Sequence, residues 1–186
     1  ILRSAMLLSA GVLAFPMLLI AQDECEFEGS AGAGDAQAAF AKITAASTEA
    51  EITAANQEAL DALARELDDD NAIVLLFAAQ ASIGLGNFDE ASQHLARYDE
   101  VADPACIQHG DTQRYNGWVR LYNAAGAAHR AGQSKEALDT FLLANEFQPN
   151  LASFSNAALL QIEMGDNAGA METYQAALDA DIPDAD

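Results

Sequence analysis

The chain has 186 residues, with 42 alanines, 12 glycines and 4 prolines. This length fits one domain, and this composition favours helix and excludes collagen, a disulfide-dense miniprotein and a low-complexity linker. The formal net charge of −21, from 8 Lys and Arg against 29 Asp and Glu, would repel phosphate groups, so it argues against binding to nucleic acid or to an anionic membrane.

The first element along the chain is an apolar stretch near the N-terminus. Residues 5–21 carry no charge, follow Arg3, and end at the small Ala21. This pattern is typical of a secretory signal peptide, so we predict one over residues 1–22, cleaved after Ala21 or Gln22. The alternatives are a buried core helix and a retained membrane anchor, although a spanning helix needs about 20 apolar residues.

The two cysteines, Cys25 and Cys106, both lie beyond this stretch. An even number of cysteines in an exported protein favours a disulfide. The bond would close a loop of about 80 residues and contribute roughly 4 kcal/mol to stability. The alternative is two unrelated thiols. No metal site is expected, because His94, His109 and His129 show no ligand spacing with the cysteines.

Residues 23–34 are rich in glycine and acidic residues, and we predict that they form a flexible lead-in. From Asp35 onwards the pattern is helical, because no run alternates apolar and polar residues as a strand would. The acidic run at residues 68–71 lacks the spacing of a calcium loop. It is expected to end one helix and to place negative charge at the start of the next.

Three later segments share one layout, which is an alanine-rich helix, a glycine turn, a second helix and a proline. These segments cover residues 72–104, 118–150 and 151–183. Their turn glycines are Gly86, Gly132 and Gly165. Residues 105–117 form an insertion between the first and second units. Glycine permits the left-handed conformation that ends a helix, and one helix pair cannot bury its apolar face alone, so the pairs are expected to stack.

Polar residues after the turns predict how the second helices begin. Asn87 and Glu90 have the spacing of a capping box, and Ser134 and Asp166 are good N-caps. The two glycines that flank Leu85 look like a phosphate-binding pair, but they follow a helix instead of a strand, so the turn interpretation is preferred.

The units resemble the tetratricopeptide repeat (TPR) family, and the second unit matches best. Its matching positions are Leu121, Ala124, Ala125, Ala128, Ala137, Phe141, Ala144 and Pro149. In the first unit, Tyr98 replaces the small residue at the helix crossing. The resemblance implies an all-α fold over residues 35–186, a right-handed superhelix of stacked antiparallel helix pairs. Residues 36–69 are a candidate degenerate unit, with Ala59 and Leu63 matching but no turn glycine.

The resemblance also implies a function: a non-catalytic scaffold that binds a protein or peptide in its concave groove. The setting it implies is the periplasm of a Gram-negative bacterium. The groove positions that it implies are Leu76, Gln80, Tyr122, Asn123, His129, Arg130, Ser155, Asn156, Leu159 and Ile162. The lysines with which some family members clamp a terminal carboxylate are missing, so apolar or neutral extended segments are expected to bind better than acidic tails. Alternatively, these apolar side chains pack between helices and bind no ligand.

Two other classes of function stay open. The outer face of the third unit is expected to be solvated, swapped between copies in an oligomer, or covered by a partner. In the last case the protein is a permanent accessory subunit of an envelope complex. An enzyme is the third class, but the sequence contains no P-loop, G-x-S-x-G or H-E-x-x-H motif, and neither a catalytic residue nor a cofactor is predicted.

Overall fold

The structure is a computed structural model that describes residues 25–180 and residue 182. The predicted signal peptide, and Pro183 at the end of the third unit, lie outside the described residues. The described part is all helical, with eight α-helices and one 3-10 turn. None of these helices combines the length and the apolar character that crossing a membrane requires.

The helices follow one another in pairs with short connections. They are α1 (Ala31–Ile43), α2 (Glu49–Leu63), α3 (Ala72–Leu85), α4 (Phe88–Val101), α5 (Ile107–Arg130), α6 (Ser134–Phe147), α7 (Leu151–Glu163) and α8 (Asn167–Asp179). Each helix packs mainly on its neighbours in sequence, and short connections between packed neighbours make them antiparallel. The described chain is therefore an all-α repeat solenoid, as predicted. The pair α1 and α2 occupies the place of the candidate degenerate unit.

The three turn glycines adopt the predicted left-handed conformation. The φ angles of Gly86, Gly132 and Gly165 are +83°, +79° and +84°. A residue with a Cβ would be strained at each of these positions. The turns of the three predicted units therefore depend on glycine.

In each of these units, the N-cap of the second helix is the residue after the turn glycine, because its carbonyl accepts the first helical N–H bond. These residues are Asn87, Gln133 and Asp166. The predicted cap is confirmed at Asp166, whose carboxylate accepts a hydrogen bond from the Gly169 N–H at 2.9 Å. The prediction is wrong for Ser134, which is already the first residue of α6.

The capping box predicted at Asn87 and Glu90 is also wrong. The Asn87 side chain accepts no hydrogen bond from a backbone N–H of α4. Its amide instead donates to Glu90 Oε2 at 3.3 Å. A capping box is present instead at the start of α2. There the Glu51 N–H donates to the Thr48 hydroxyl at 3.2 Å, and Glu51 Oε2 accepts from the Thr48 N–H at 3.0 Å. Glu51 Oε2 also accepts from the Ser47 N–H at 2.7 Å. The backbone hydrogen bonds from Ser47 and Thr48 hold the pKa of Glu51 below its usual value.

The start of the helical body differs from the predicted boundary at Asp35. Helix α1 begins at Ala31, because the Ser30 hydroxyl caps it by accepting from the Ala33 N–H at 3.0 Å. Gly32 lies inside this helix, where an added Cβ would lie 2.8 Å from the Ala62 carbonyl oxygen of α2. The last four residues of the predicted flexible lead-in are therefore helix that packs closely on α2.

The predicted insertion at residues 105–117 is mostly helix and extends α5 at its N-terminal end. Two buried glycines let the longer helix pass close to its neighbours. A Cβ on Gly110 would lie 2.9 Å from the ring of Tyr98, and a Cβ on Gly117 would lie 2.1 Å from the ring of Phe147. Small residues on α5 thus accept large side chains from α4 and α6.

Tyr98 is the large residue that departs from the repeat pattern, and its side chain is fully buried. It packs with Leu75 and Leu76 of α3, and its hydroxyl donates to the Cys106 carbonyl oxygen at 2.6 Å. Burial, together with the nearby carboxylates of Asp99 and Asp111, raises the pKa of Tyr98 to about 12. Tyr98 therefore joins the first predicted unit to the segment that was predicted as an insertion.

Large side chains fill the gaps between the pairs, as the repeat pattern predicts. Leu95 and Phe141 are buried, with 2% and 4% of their surface exposed. The equivalent Tyr174 on α8 is 42% exposed, because no described helix packs on that side of α8. The last described helix therefore presents an apolar outer face.

We expect Gly117→Ala to lower the free energy of unfolding by about 1–3 kcal/mol, because the new methyl group overlaps the Phe147 ring. Gly126→Ala in the same helix is the matched control, since its Cβ would meet only Arg130, at 3.4 Å. That change should stabilise the protein by up to about 1 kcal/mol through helix propensity. Urea denaturation of both variants measures the difference, and equal effects would contradict the close contact at Gly117.

Candidate functional site

Polar side chains bridge helices α5 and α7, which are the first helices of the second and third predicted units. The Trp118 indole N–H donates to the Ser153 hydroxyl at 2.7 Å. The Asn156 amide donates to the Tyr122 hydroxyl oxygen at 3.0 Å. Both bonds join residues that lie 34 or 35 positions apart in sequence. They fix the relative positions of the two helices and of the side chains between them.

A cleft of about 250 Å³ opens between these helices. It is lined by Tyr122, Gly126, His129, Arg130, Phe141, Asn156, Leu159, Leu160 and Glu163. Phe141 and Leu160 are buried and give it an apolar floor, and Gly126 adds no side chain. The exposed Arg130 and Glu163 give it a charged rim. An apolar floor with a few polar groups at the edge is the usual chemistry of a binding cleft.

The structure brings part of the predicted groove together. The predicted residues that line the cleft are Tyr122, His129, Arg130, Asn156 and Leu159. The other predicted residues lie outside its lining, with Asn123, Ser155 and Ile162 exposed and Gln80 half-buried on α3. Leu76 is only 4% exposed because it packs against Tyr98. Leu76 is therefore a core residue and not part of a groove surface.

A row of aromatic rings continues the cleft along α5. The ring centroids of Tyr115 and Trp118 are 5.7 Å apart, and those of Trp118 and Tyr122 are 5.2 Å apart. The interplanar angles are 30° and 32°, and Tyr115 is 52% exposed. The predicted groove did not include Tyr115 or Trp118. The signal that could have found them is their spacing of three and four residues, which places all three rings on one helix face.

The far end of the row borders a second cleft, of about 480 Å³. It is lined by Asp111, Thr112, Arg114, Tyr115, Phe147, Gln148 and Pro149. The Arg114 guanidinium contacts two carboxylates here, those of Asp99 and Asp111. The three rings of Tyr115, Trp118 and Tyr122 therefore connect a charged rim at one cleft with an acidic border at the other. We call the surface formed by the two clefts and these three rings the α5 groove.

A second exposed surface lies on α8. Its apolar members are Met171, Tyr174 and Leu178, with 74%, 42% and 80% of their surface exposed. Their spacing of three and four residues places them on one helix face. This face corresponds to the outer side of the third predicted unit.

Within the described residues, no group of three or more His, Cys, Asp and Glu side chains is arranged to hold a metal ion. Partial burial lowers the pKa of His94. His94 lies on α4 and lines neither cleft.

No protein-family model and no curated protein matches this chain. Among solved structures, it is similar to MamA AMB-1, with 17% identity, a TM-score of 0.31, and coverage of 83% of this chain and 90% of that one. It is also similar to a point mutant of MamA, with 19% identity, a TM-score of 0.29, and coverage of 81% and 93%. Likeness at this level carries no conclusion about function, and the fold of this chain follows from its own helix pairing.

Proposed function

We propose that this protein is an exported, non-catalytic scaffold that binds an extended segment of a protein partner in the α5 groove. The observation that carries this proposal is the cleft between α5 and α7, with its buried apolar floor of Phe141 and Leu160. Grooves of this kind bind peptides by accepting apolar side chains from an extended chain. Each repeat supplies one wall, so the solenoid is a rigid frame for the groove.

The charges around the cleft favour a neutral or apolar segment over an acidic tail. Arg130 and Glu163 both line the cleft, so its rim carries one positive and one negative charge. A ligand carboxylate placed there would meet the repulsion of Glu163 as well as the attraction of Arg130, and a buried carboxylate without its own cation is costly. The net charge of −21 adds general repulsion of acidic ligands.

Charged substitutions in the cleft test this proposal. We expect Tyr122→Asp and Leu159→Asp to weaken partner capture by at least about tenfold, because central apolar contacts dominate such interfaces. Ala124→Asp is the matched control, since Ala124 is an exposed residue of α5 that does not line the cleft. Capture from the native envelope followed by mass spectrometry measures the loss, and circular dichroism checks that helicity is retained.

A further variant blocks the cleft without replacing a side chain that packs against other helices, and a second variant serves as its control. Gly126→Leu places a side chain in the open floor of the cleft, where an added Cβ meets only Arg130. Ala127→Leu adds the same side chain at an exposed position of α5. Loss of capture with Gly126→Leu alone supports the groove, whereas full capture by Gly126→Leu and both aspartate variants would reject it.

The alternative proposal is a permanent accessory subunit docked through the apolar face of α8. The exposure of Met171 and Leu178 supports it, since contiguous exposed apolar side chains often mark an interface. Under this alternative, Met171→Glu with Leu178→Glu would abolish partner capture or an oligomer seen by light scattering. The groove variants would then leave capture intact.

Export to the periplasm is proposed from the uncharged residues 5–21 that follow Arg3. We expect N-terminal sequencing of protein from the envelope fraction to begin near Gln22 or Asp23. A chain that keeps its first 20 residues and stays in the membrane fraction would instead support the anchor.

A further inference from the structure

The aromatic row of Tyr115, Trp118 and Tyr122 indicates which class of peptide the groove takes. We propose that the α5 groove binds a proline-rich segment in the polyproline II conformation, with a basic residue at the Tyr115 end. This inference rests on the proposed function and specifies its ligand. It is carried by the spacing of the rings, by an available hydroxyl donor and by the distribution of charge.

The spacing of the rings matches the repeat of a polyproline II helix. Tyr115 and Tyr122 are seven residues apart on one helix, which is about 10.5 Å along its axis. A polyproline II helix has three residues per turn at 3.1 Å each, so every third residue recurs at about 9.3 Å on one face. Two prolines one turn apart can therefore each contact one outer tyrosine, with the intervening backbone passing over Trp118. Aromatic-lined grooves are a recurrent way of binding such preformed, extended helices.

The groove also offers a hydrogen-bond donor of the right kind. A polyproline II backbone leaves its carbonyl oxygens without internal partners, so a matching surface needs donors. In the hydrogen bonds of residues 25–180, the Tyr122 hydroxyl acts only as the acceptor from Asn156. Its own proton is therefore available for a ligand carbonyl. Asn156 holds the hydroxyl oxygen in place at the edge of the 250 Å³ cleft.

The charge at the Tyr115 end favours a basic residue in the ligand. Two carboxylates, those of Asp99 and Asp111, share the single Arg114 guanidinium there. The Asp111 side chain is 67% exposed and lines the same cleft as Tyr115. A lysine or arginine next to the prolines can therefore contact Asp111. The net charge of −21 attracts such a ligand at longer range.

The chain has one tryptophan, Trp118, so intrinsic fluorescence of the full chain reports directly on the aromatic row. The probe is a peptide with two prolines separated by two residues and followed by lysine. We expect a saturable fluorescence change, and a peptide with alanine in place of proline should bind at least tenfold more weakly. Tyr115→Ala should weaken binding by about three- to tenfold. Tyr174→Ala, at another exposed tyrosine, should leave binding unchanged.

A separate experiment tests the proposed contact between Asp111 and a basic residue of the ligand. Asp111→Asn should weaken binding of the lysine peptide and reduce its dependence on salt, while a neutral proline peptide should bind the two chains equally. Equal binding of the proline and alanine peptides would overturn the inference, as would binding that does not change with Tyr115→Ala. A saturable response to a neutral oligosaccharide but not to the peptide would overturn it as well, since the row would then stack on sugar rings.

These outcomes are separate from failure of the proposed function. If proline peptides do not bind but partner capture is still lost with Tyr122→Asp and Leu159→Asp, only the ligand class is wrong. If capture is unaffected by the cleft variants, the proposed function itself fails.

Discussion

Replacing Tyr98 with alanine is expected to lower the free energy of unfolding by about 3–5 kcal/mol, the usual range for removing a buried aromatic side chain. The side chain is fully buried and packs between Leu75 and Leu76 of α3 and the ring-contacting Gly110 of α5. The neighbours are held in separate helices, so they cannot close the cavity without moving a helix. Urea denaturation followed by circular dichroism measures the loss.

Tyr98→Phe separates the hydroxyl from the ring. It retains the packing but leaves the Cys106 carbonyl oxygen without its buried donor, so we expect a smaller loss of about 1–3 kcal/mol. A loss with Tyr98→Ala no larger than that with Tyr98→Phe would show that the ring contributes nothing beyond its hydrogen bond. It would contradict the proposed role of Tyr98 in joining α4 to α5.

The pKa of Tyr98 gives this residue a signature at high pH. Burial raises that pKa from 10.0 to about 12 in the folded chain. Stability from this group is therefore complete below pH 10, and it is lost as the pH rises from 10 towards 12, because only the unfolded chain ionises there. Tyr98→Phe should lose less stability over that interval than the unmodified chain, as measured by urea denaturation at several pH values. Parallel losses would show that Tyr98 ionises normally.

The parts of the fold that depend on local sequence were predictable. The turn glycines Gly86, Gly132 and Gly165 need no partner to adopt a left-handed conformation, so their recurrence predicted three turns between paired helices. Repetition of small and large residues at fixed spacing then predicted stacked pairs, and the buried Leu95 and Phe141 confirm this. Local conformational preferences and the sequence repeat therefore sufficed to predict the solenoid.

The parts that depend on contacts between distant residues were not predictable in the same way. In the sequence, Tyr98 was only a departure from the repeat pattern of the first unit. Its partner Gly110 lies in the segment that was predicted as an insertion, outside the repeats. Leu76 was placed in the groove by its repeat position, but the burial of Tyr98 beside it makes it core. The contact of Trp118 was not predictable either, because its indole N–H bonds to the hydroxyl of Ser153, which is 35 residues away in sequence.

Half of the predicted groove residues line the cleft. Tyr122, Asn156 and Leu159 do so, but Ser155, which occupies the repeat position of Tyr122, and Asn123, which occupies that of Asn156, lie outside its lining. Asn123 is adjacent to Tyr122 in sequence but points away from the cleft lining, because neighbouring residues on a helix do not share a face. The sequence thus predicted residues of this cleft on α5 and α7 but did not define its edges.

The disulfide between Cys25 and Cys106 was predicted from cysteine count and export alone, and the structure contains it, with the two Cα atoms 4.9 Å apart. The residues around it form a small cluster. The ring of Phe27 lies 5.5 Å from the ring of His109, and the Asn71 amide donates to the Glu28 carbonyl oxygen at 3.2 Å. These contacts hold the segment before α1 against α3 and α5.

Replacing both Cys25 and Cys106 with serine is expected to lower the free energy of unfolding by about 4 kcal/mol, because the bond spans 81 residues and restricts the unfolded chain. A loss of this size is a large fraction of the roughly 5–15 kcal/mol that stabilises a typical domain. Urea denaturation of the double variant, compared with the unmodified chain under reducing and oxidising conditions, measures it. Reduction of the unmodified chain should reproduce most of the loss.

The size of the loss also shows how the bond acts. If the bond mainly restricts the unfolded chain, hydrogen exchange of the slowest amides in α3 and α5 should become faster in step with the fall in global stability, since these amides exchange through global unfolding. If it mainly fastens residues 25–30, exchange should become fast there while global stability falls by less than about 1 kcal/mol. The 81-residue separation encloses α1 to α4 within the loop, so we expect the first result. Two freely alkylated thiols in the unreduced protein would contradict the bond itself.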